Sequence, residues 1–158
     1  MATDIMASST TKLTHSILLT RFIPRRSCES GKYQEQKMQK NCVGCEIGKY
    51  GDGLSGAFSS THCGDCPPGT ASNIVAAPAF SSCANCPGGR FSKVGNSTCT
   101  VCEGGKYSPA GFSPSCSPCL AGTFSLSEAS SCTNCLGGKF AASDLSTSCQ
   151  DCLKGTYR

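Results

Sequence analysis

The stretch from residue 83 to 107, Cys83-Ala-Asn-Cys86-Pro-Gly-Gly89-Arg-Phe91-Ser-Lys-Val-Gly-Asn-Ser-Thr-Cys99-Thr-Val-Cys102-Glu-Gly-Gly105-Lys-Tyr107, holds two copies of one template. Each copy reads Cys-x-x-Cys-x-x-Gly, then Lys, Arg or Thr, then an aromatic, and Ser or a similar residue follows. Working outward, the Cys-x-x-Cys pairs are Cys42/Cys45, Cys63/Cys66, Cys83/Cys86, Cys99/Cys102, Cys116/Cys119, Cys132/Cys135 and Cys149/Cys152. The step from pair to pair is 21, 20, 16, 17, 16 and 17 residues. A near-constant period marks a repeat array, whose short units lean on their neighbours because none can bury a core alone.

The glycine is present in every copy, as Gly48, Gly69, Gly89, Gly105, Gly122, Gly138 and Gly155. A glycine at one fixed offset predicts a backbone position with positive φ, a tight turn just after the cysteine. The aromatic is Tyr50, Phe91, Tyr107, Phe124, Phe140 and Tyr157, with Ala71 as the exception. It is expected to be the single large apolar group of each unit, laid over the adjacent disulfide. Cys28-Glu-Ser-Gly31-Lys-Tyr33 fits the same template, with Arg25 where the first cysteine of a pair would stand, so the array starts there with a half-formed unit.

Fifteen cysteines in 158 residues, no Trp and only 7% aromatics describe a chain with too little apolar bulk to offset the entropy of ordering. It needs disulfides or metal to fold. The net charge of +4 is uneven: residues 1–27 hold Lys12, Arg21, Arg25 and Arg26 against Asp4, and the rest is nearly balanced. The array therefore carries no nucleic-acid footprint. No segment approaches the ~20 apolar residues that cross a bilayer as a helix. At the N-terminus the longest apolar run is Ile17-Leu18-Leu19, short of a secretion signal. Its Ser/Thr- and Arg-containing start faintly resembles an organelle transit peptide, but the preferred reading is a fragment or a misassigned start whose leader lies elsewhere.

If the second cysteine of each pair bonds the first of the next, the bridges are Cys28–Cys42, Cys45–Cys63, Cys66–Cys83, Cys86–Cys99, Cys102–Cys116, Cys119–Cys132 and Cys135–Cys149, and Cys152 is left unpaired. Each loop of that size contributes about 3 kcal/mol in the chain-entropy account. Polar, Ser-rich loops and the absence of a 3.6-residue apolar period predict short hairpins and little helix. The expected fold is small and disulfide-rich, an elongated array of β-hairpin/loop cysteine-rich repeats. Residues 1–27 are read as a disordered basic segment and residues 28–158 as about seven and a half repeats, truncated at the C-terminus.

With these motifs the chain resembles the ephrin-receptor-like cysteine-rich repeat over residues 28–158, a module related to tumour-necrosis-factor-receptor and growth-factor-receptor cysteine-rich modules. The resemblance implies extracellular, disulfide-linked modules with pairing within each loop. It departs at Ala71, at the longer second and third loops, at Arg25 and in the lack of a leader. The kinase of the family's usual name belongs to other domains, and neither a Gly-rich phosphate loop nor His-Arg-Asp or Asp-Phe-Gly occurs here.

Three sharper readings compete. Cys-x₂-Cys spaced by 15–20 residues is also zinc spacing, but seven pairs do not divide into four-cysteine sites, and His15 and His62 are not at ligand spacing. Redox chemistry needs a low-pKa thiol at a helix N-terminus, for which no helical pattern exists. Lys49, Arg90, Lys106 and Lys139 recur after the glycine and would form a basic row for acidic glycans. Thr70, Thr123 and Thr156 interrupt that row, which favours an ordinary solvated position. Asn96-Ser97-Thr98 is a glycosylation sequon. The chain is thus expected to be a non-enzymatic extracellular or cell-surface region, a spacer or ligand-binding ectodomain with a protein or glycan partner, no cofactor and no metal. The alternative is an intracellular zinc-binding Cys-x-x-Cys protein.

Overall fold

The two residues inside each Cys-x-x-Cys pair are a return strand. In the computed structural model, Arg90–Phe91 runs antiparallel to Thr100–Val101, with Arg90 opposite Val101 and Phe91 opposite Thr100. The same hairpin recurs as Lys32–Tyr33 with Val43–Gly44, Lys49–Gly51 with Cys63–Asp65 and Thr70–Ala71 with Ala84–Asn85. It continues as Lys106–Tyr107 with Ser117–Pro118, Thr123–Phe124 with Thr133–Asn134 and Lys139–Phe140 with Gln150–Asp151. The structure describes residues 28–36, 41–52 and 59–155. The expectations for residues 1–27, including Arg25 and His15, and for Thr156 and Tyr157 lie outside them. Among the described residues, helix is confined to single 3₁₀ turns at Ser60–His62 and Phe80–Ser82.

Each first strand leaves a four-residue turn. The Arg90 N–H donates to the Pro87 carbonyl at 3.2 Å, and Gly89 sits third in that turn with φ +79°. The second cysteine of the next repeat closes the hairpin, the Cys102 N–H donating to the Gly89 carbonyl at 2.8 Å. Isolated hairpins with two-residue strands are unstable in water, so the fold depends on what joins one to the next.

Three backbone hydrogen bonds recur between neighbouring repeats. The second-cysteine carbonyl accepts from a loop N–H of the next repeat: Cys45 from Ala76 at 2.8 Å, Cys66 from Gly95 at 2.9 Å, Cys86 from Gly111 at 3.2 Å, Cys102 from Glu128 at 2.8 Å and Cys119 from Leu145 at 2.8 Å. The template glycine donates to the carbonyl six residues past the next second cysteine, as Gly48 to Ser72, Gly69 to Ser92, Gly89 to Ser108, Gly105 to Ser125 and Gly122 to Ala141, all at 2.7–3.0 Å. That sixth residue donates in turn to the following loop, as Ser92 to Ser113, Ser108 to Ala129 and Ser125 to Ser146, at 3.1–3.3 Å.

The interior that results is made of sulfur and small side chains. Cys66, Cys86, Cys102 and Cys119 are buried, with Thr70, Ser72, Ser92, Ser108, Ser125 and Ala141 between them. Buried hydroxyls must find acceptors, and three of the serines reach back one repeat: Ser92 Oγ donates to the Thr70 carbonyl at 2.8 Å, Ser108 Oγ to that of Arg90 at 3.0 Å, and Ser125 Oγ to that of Lys106 at 3.0 Å. The aromatics are not the core. Tyr50, Phe91, Tyr107 and Phe124 are half-buried and Phe140 is exposed. Tyr50 meets Phe80 edge-on, with ring centroids 5.5 Å apart. The backbones approach too closely to admit rings between them.

That approach reaches two repeats along the chain. A Cβ on Gly89 would stand 2.1 Å from the Glu128 carbonyl oxygen, and one on Gly48 would stand 2.0 Å from that of Gly95. Gly138, also left-handed at φ +81°, has nothing within 4 Å. Gly138→Ala is therefore expected to cost only the left-handed strain, roughly 1–2 kcal/mol. Gly89→Ala adds a backbone clash and should cost several kcal/mol more. Thermal unfolding of the two oxidised variants checks this, and equal losses would show that the contact between next-nearest repeats carries no stability.

Candidate interaction surface

Seven disulfides follow one another in sequence, from Cys28–Cys42 to Cys135–Cys149, and each crosses the foot of a loop with its Cα atoms 5.6–5.8 Å apart. A sulfur in a disulfide has no thiolate to offer a metal. Among the described residues no group of His, Cys, Asp and Glu is arranged to hold a metal ion. The disulfides argue against the zinc-binding alternative. Cys152 is unpaired and half-buried. His62 is also half-buried, its Nδ1 3.2 Å from the Ser59 carbonyl oxygen. The hollow bounded by Gly31, Tyr33, Cys45, Asp52, His62 and Cys63 has no room for a water molecule. No helix among the described residues is long and apolar enough to cross a membrane.

The basic row is real as a position, but its charges are paired. Lys49 Nζ lies 2.5 Å from Asp65, and Lys139 Nζ lies 2.6 Å from Asp151, each acid being the direct cross-strand partner. Lys32 and Lys106 turn back onto Glu29 and Glu103, three residues earlier, at 3.0 and 3.2 Å. Arg90 Nε reaches Glu128 Oε1 at 2.7 Å, across two repeats. Where the position is Thr, its hydroxyl closes its own turn: Thr70 Oγ1 donates to Pro67 at 2.8 Å and Thr123 Oγ1 to Leu120 at 2.7 Å. Glu at the first turn residue is followed by Lys (Glu29, Glu46, Glu103), whereas Pro and Leu there are followed by either kind, Thr after Pro67 and Leu120, Arg90 after Pro87 and Lys139 after Leu136. Such part-exposed pairs contribute 0–1 kcal/mol each, and they leave little free positive charge for a polyanion.

Exposed apolar side chains stand in the turns, at Ile47, Leu120, Leu136 and Leu153, and in the loops, where Val75, Val94, Phe112 and Leu126 reach well into solvent. The latter four are in the loops that bond the preceding repeat. They flank the residues that donate to the preceding repeat's cysteine. Those donors share a left-handed backbone, at Ala76 (φ 57°), Gly95 (74°), Gly111 (108°), Glu128 (63°) and Leu145 (62°). Sequence reading missed this position because no common side chain marks it. It also missed the Arg90–Glu128 pair and the structural use of the serines. The last did leave a signal, since the residue six past the second cysteine is small in the six units from Cys45 to Cys135: Gly51, Ser72, Ser92, Ser108, Ser125 and Ala141.

The geometry defines a disulfide-stapled cysteine-rich repeat array. Residues 89–131 match the family model for tyrosine-protein kinase ephrin type A/B receptor-like sequences, so the resemblance read from the template is met there by the family itself. Among curated proteins none matches the chain. The matched module and the run of disulfides fit an extracellular, non-enzymatic repeat region.

Asp65→Asn, Glu128→Gln and Asp151→Asn together should free three cations and raise the salt needed to elute the chain from a sulfated-polysaccharide column, while thermal stability falls only slightly. Unchanged elution would mean that the pairs do not mask the row.

Proposed function

We propose that the array is a stiff extracellular spacer within a cell-surface or secreted protein. The observation that supports this is the bonding between repeats: hydrogen bonds to the next repeat, close contacts to the one beyond, and a disulfide within each. Such a lattice grows in one dimension and resists bending at every joint. A second reading, capture of a protein ligand by the loops, is favoured by the exposed Val75, Val94, Phe112 and Leu126. Catalysis has no part in either reading.

Two measurements test the proposal. Thiol alkylation with peptide mapping on protein from an oxidising host should find one free thiol, at Cys152, and no bound zinc. Many free thiols with stoichiometric zinc would move the protein into a reducing compartment. Small-angle scattering should then compare the full chain with one lacking residues 87–102, an excision that removes Cys99 and Cys102 and leaves Cys86 to bond Cys116. A spacer shortens by one repeat's rise, whereas a collapsed or freely jointed chain does not, and that result would end the spacer reading.

A further inference from the structure

We infer that Asn96 is an N-glycosylation acceptor and that its glycan marks one flank of the array at a single repeat. The inference rests on the extracellular reading above. Asn96-Ser97-Thr98 is the one Asn-x-Ser/Thr sequence in the chain, since Asn41, Asn73, Asn85 and Asn134 all lack the hydroxyl residue two places on. The motif supplies the amide that is modified and the Thr98 hydroxyl that the transferase reads.

The structure places it where modification is compatible with the fold. The Asn96 N–H donates to the Lys93 carbonyl at 3.3 Å, closing a turn whose third residue, Gly95, is left-handed at φ +74°. Contact with the Cys45 repeat is made through backbone: the Gly95 and Asn96 carbonyl carbons are what a Cβ on Gly48 would meet. None of the hydrogen bonds among the described residues uses the Asn96 side-chain amide. Thr98 and Val94 are exposed, and Asn96 and Ser97 are half-buried. A sugar on Asn96 Nδ2 therefore breaks no hydrogen bond of the array.

In the transfer, the anomeric carbon of an oligosaccharide carried on a polyprenyl diphosphate forms a bond to Asn96 Nδ2. Its bond to the diphosphate oxygen breaks, the amide gives up one proton, and the lipid diphosphate leaves. Cys99 follows the motif directly, and its bridge to Cys86 closes the loop that contains Asn96. The transferase needs an extended acceptor, so addition precedes that closure.

The test is secretion of the full chain behind a cleavable leader from a eukaryotic host, with peptide N-glycosidase treatment and peptide mapping. The expected result is a mobility shift removed by the enzyme, leaving deamidated Asn96. Asn96→Gln and Thr98→Ala should both abolish the shift, and Ser97→Ala should keep it. Secreted wild-type chain with its disulfides closed but with Asn96 unmodified would overturn the inference and leave the extracellular reading standing. Thiol mapping of the same sample reports separately on that reading.

Discussion

The stacking of this molecule depends on one steric fact, that at Gly31, Gly48, Gly69, Gly89 and Gly105 backbone from a loop two repeats along occupies the space where the template glycine would carry a side chain. Gly48, Gly89 and Gly105 each have a carbonyl oxygen within about 2 Å of the position a Cβ would take. The same residues must also hold a left-handed φ to turn the chain into its hairpin. Glycine is thus fixed twice, once by conformation and once by packing. A side chain there would push apart three repeats.

Close approach of backbones explains the unusual interior. Sheets and helices keep a distance that large apolar side chains fill, but these hairpins stand too near for that. What remains to be buried is sulfur, hydroxyl and methyl. Serine suits such a space because its one polar atom can bond a carbonyl of the repeat before it, as Ser92, Ser108 and Ser125 do. Each bond contributes about 1 kcal/mol net, and each disulfide roughly 3 by restricting the unfolded chain. Stability accumulates by repetition, and because Gly89 meets Glu128 while Cys102 bonds it, neighbouring junctions share a loop and cannot open independently.

The fold class was legible because the period, the glycine and the cysteines are one-dimensional signals, and the fold is one-dimensional too. Short hairpins were expected from the turn-rich loops, but the return strand inside each Cys-x-x-Cys pair was not placed from the sequence. The core was read less well. The aromatics, the largest apolar groups, were expected to lie over the adjacent disulfides; they are half-buried or exposed, and the buried interior is sulfur and small side chains instead. The left-handed loop position was illegible in principle. Ala76, Gly95, Gly111, Glu128 and Leu145 share a backbone state imposed by the neighbouring repeat, and their side chains have nothing in common. Arg90 and Glu128 are 38 residues apart, and pairing them requires knowing that alternate repeats touch.

Where an array like this could recognise something is limited by what its scaffold consumes. The cysteines, the glycine and the small residue after the aromatic are committed to stacking. The Lys, Arg or Thr position is committed to its own turn, to a cross-strand acid or to a repeat further on. Positions not spent in this way lie in the loops between the aromatic and the next first cysteine, where the repeats differ most in length, and at the exposed turn residues after the second cysteine, such as Ile47, Leu120, Leu136 and Leu153. Any specificity the array has must therefore be read from these variable positions held at fixed spacing, since the features common to all repeats are already used to hold the repeats together.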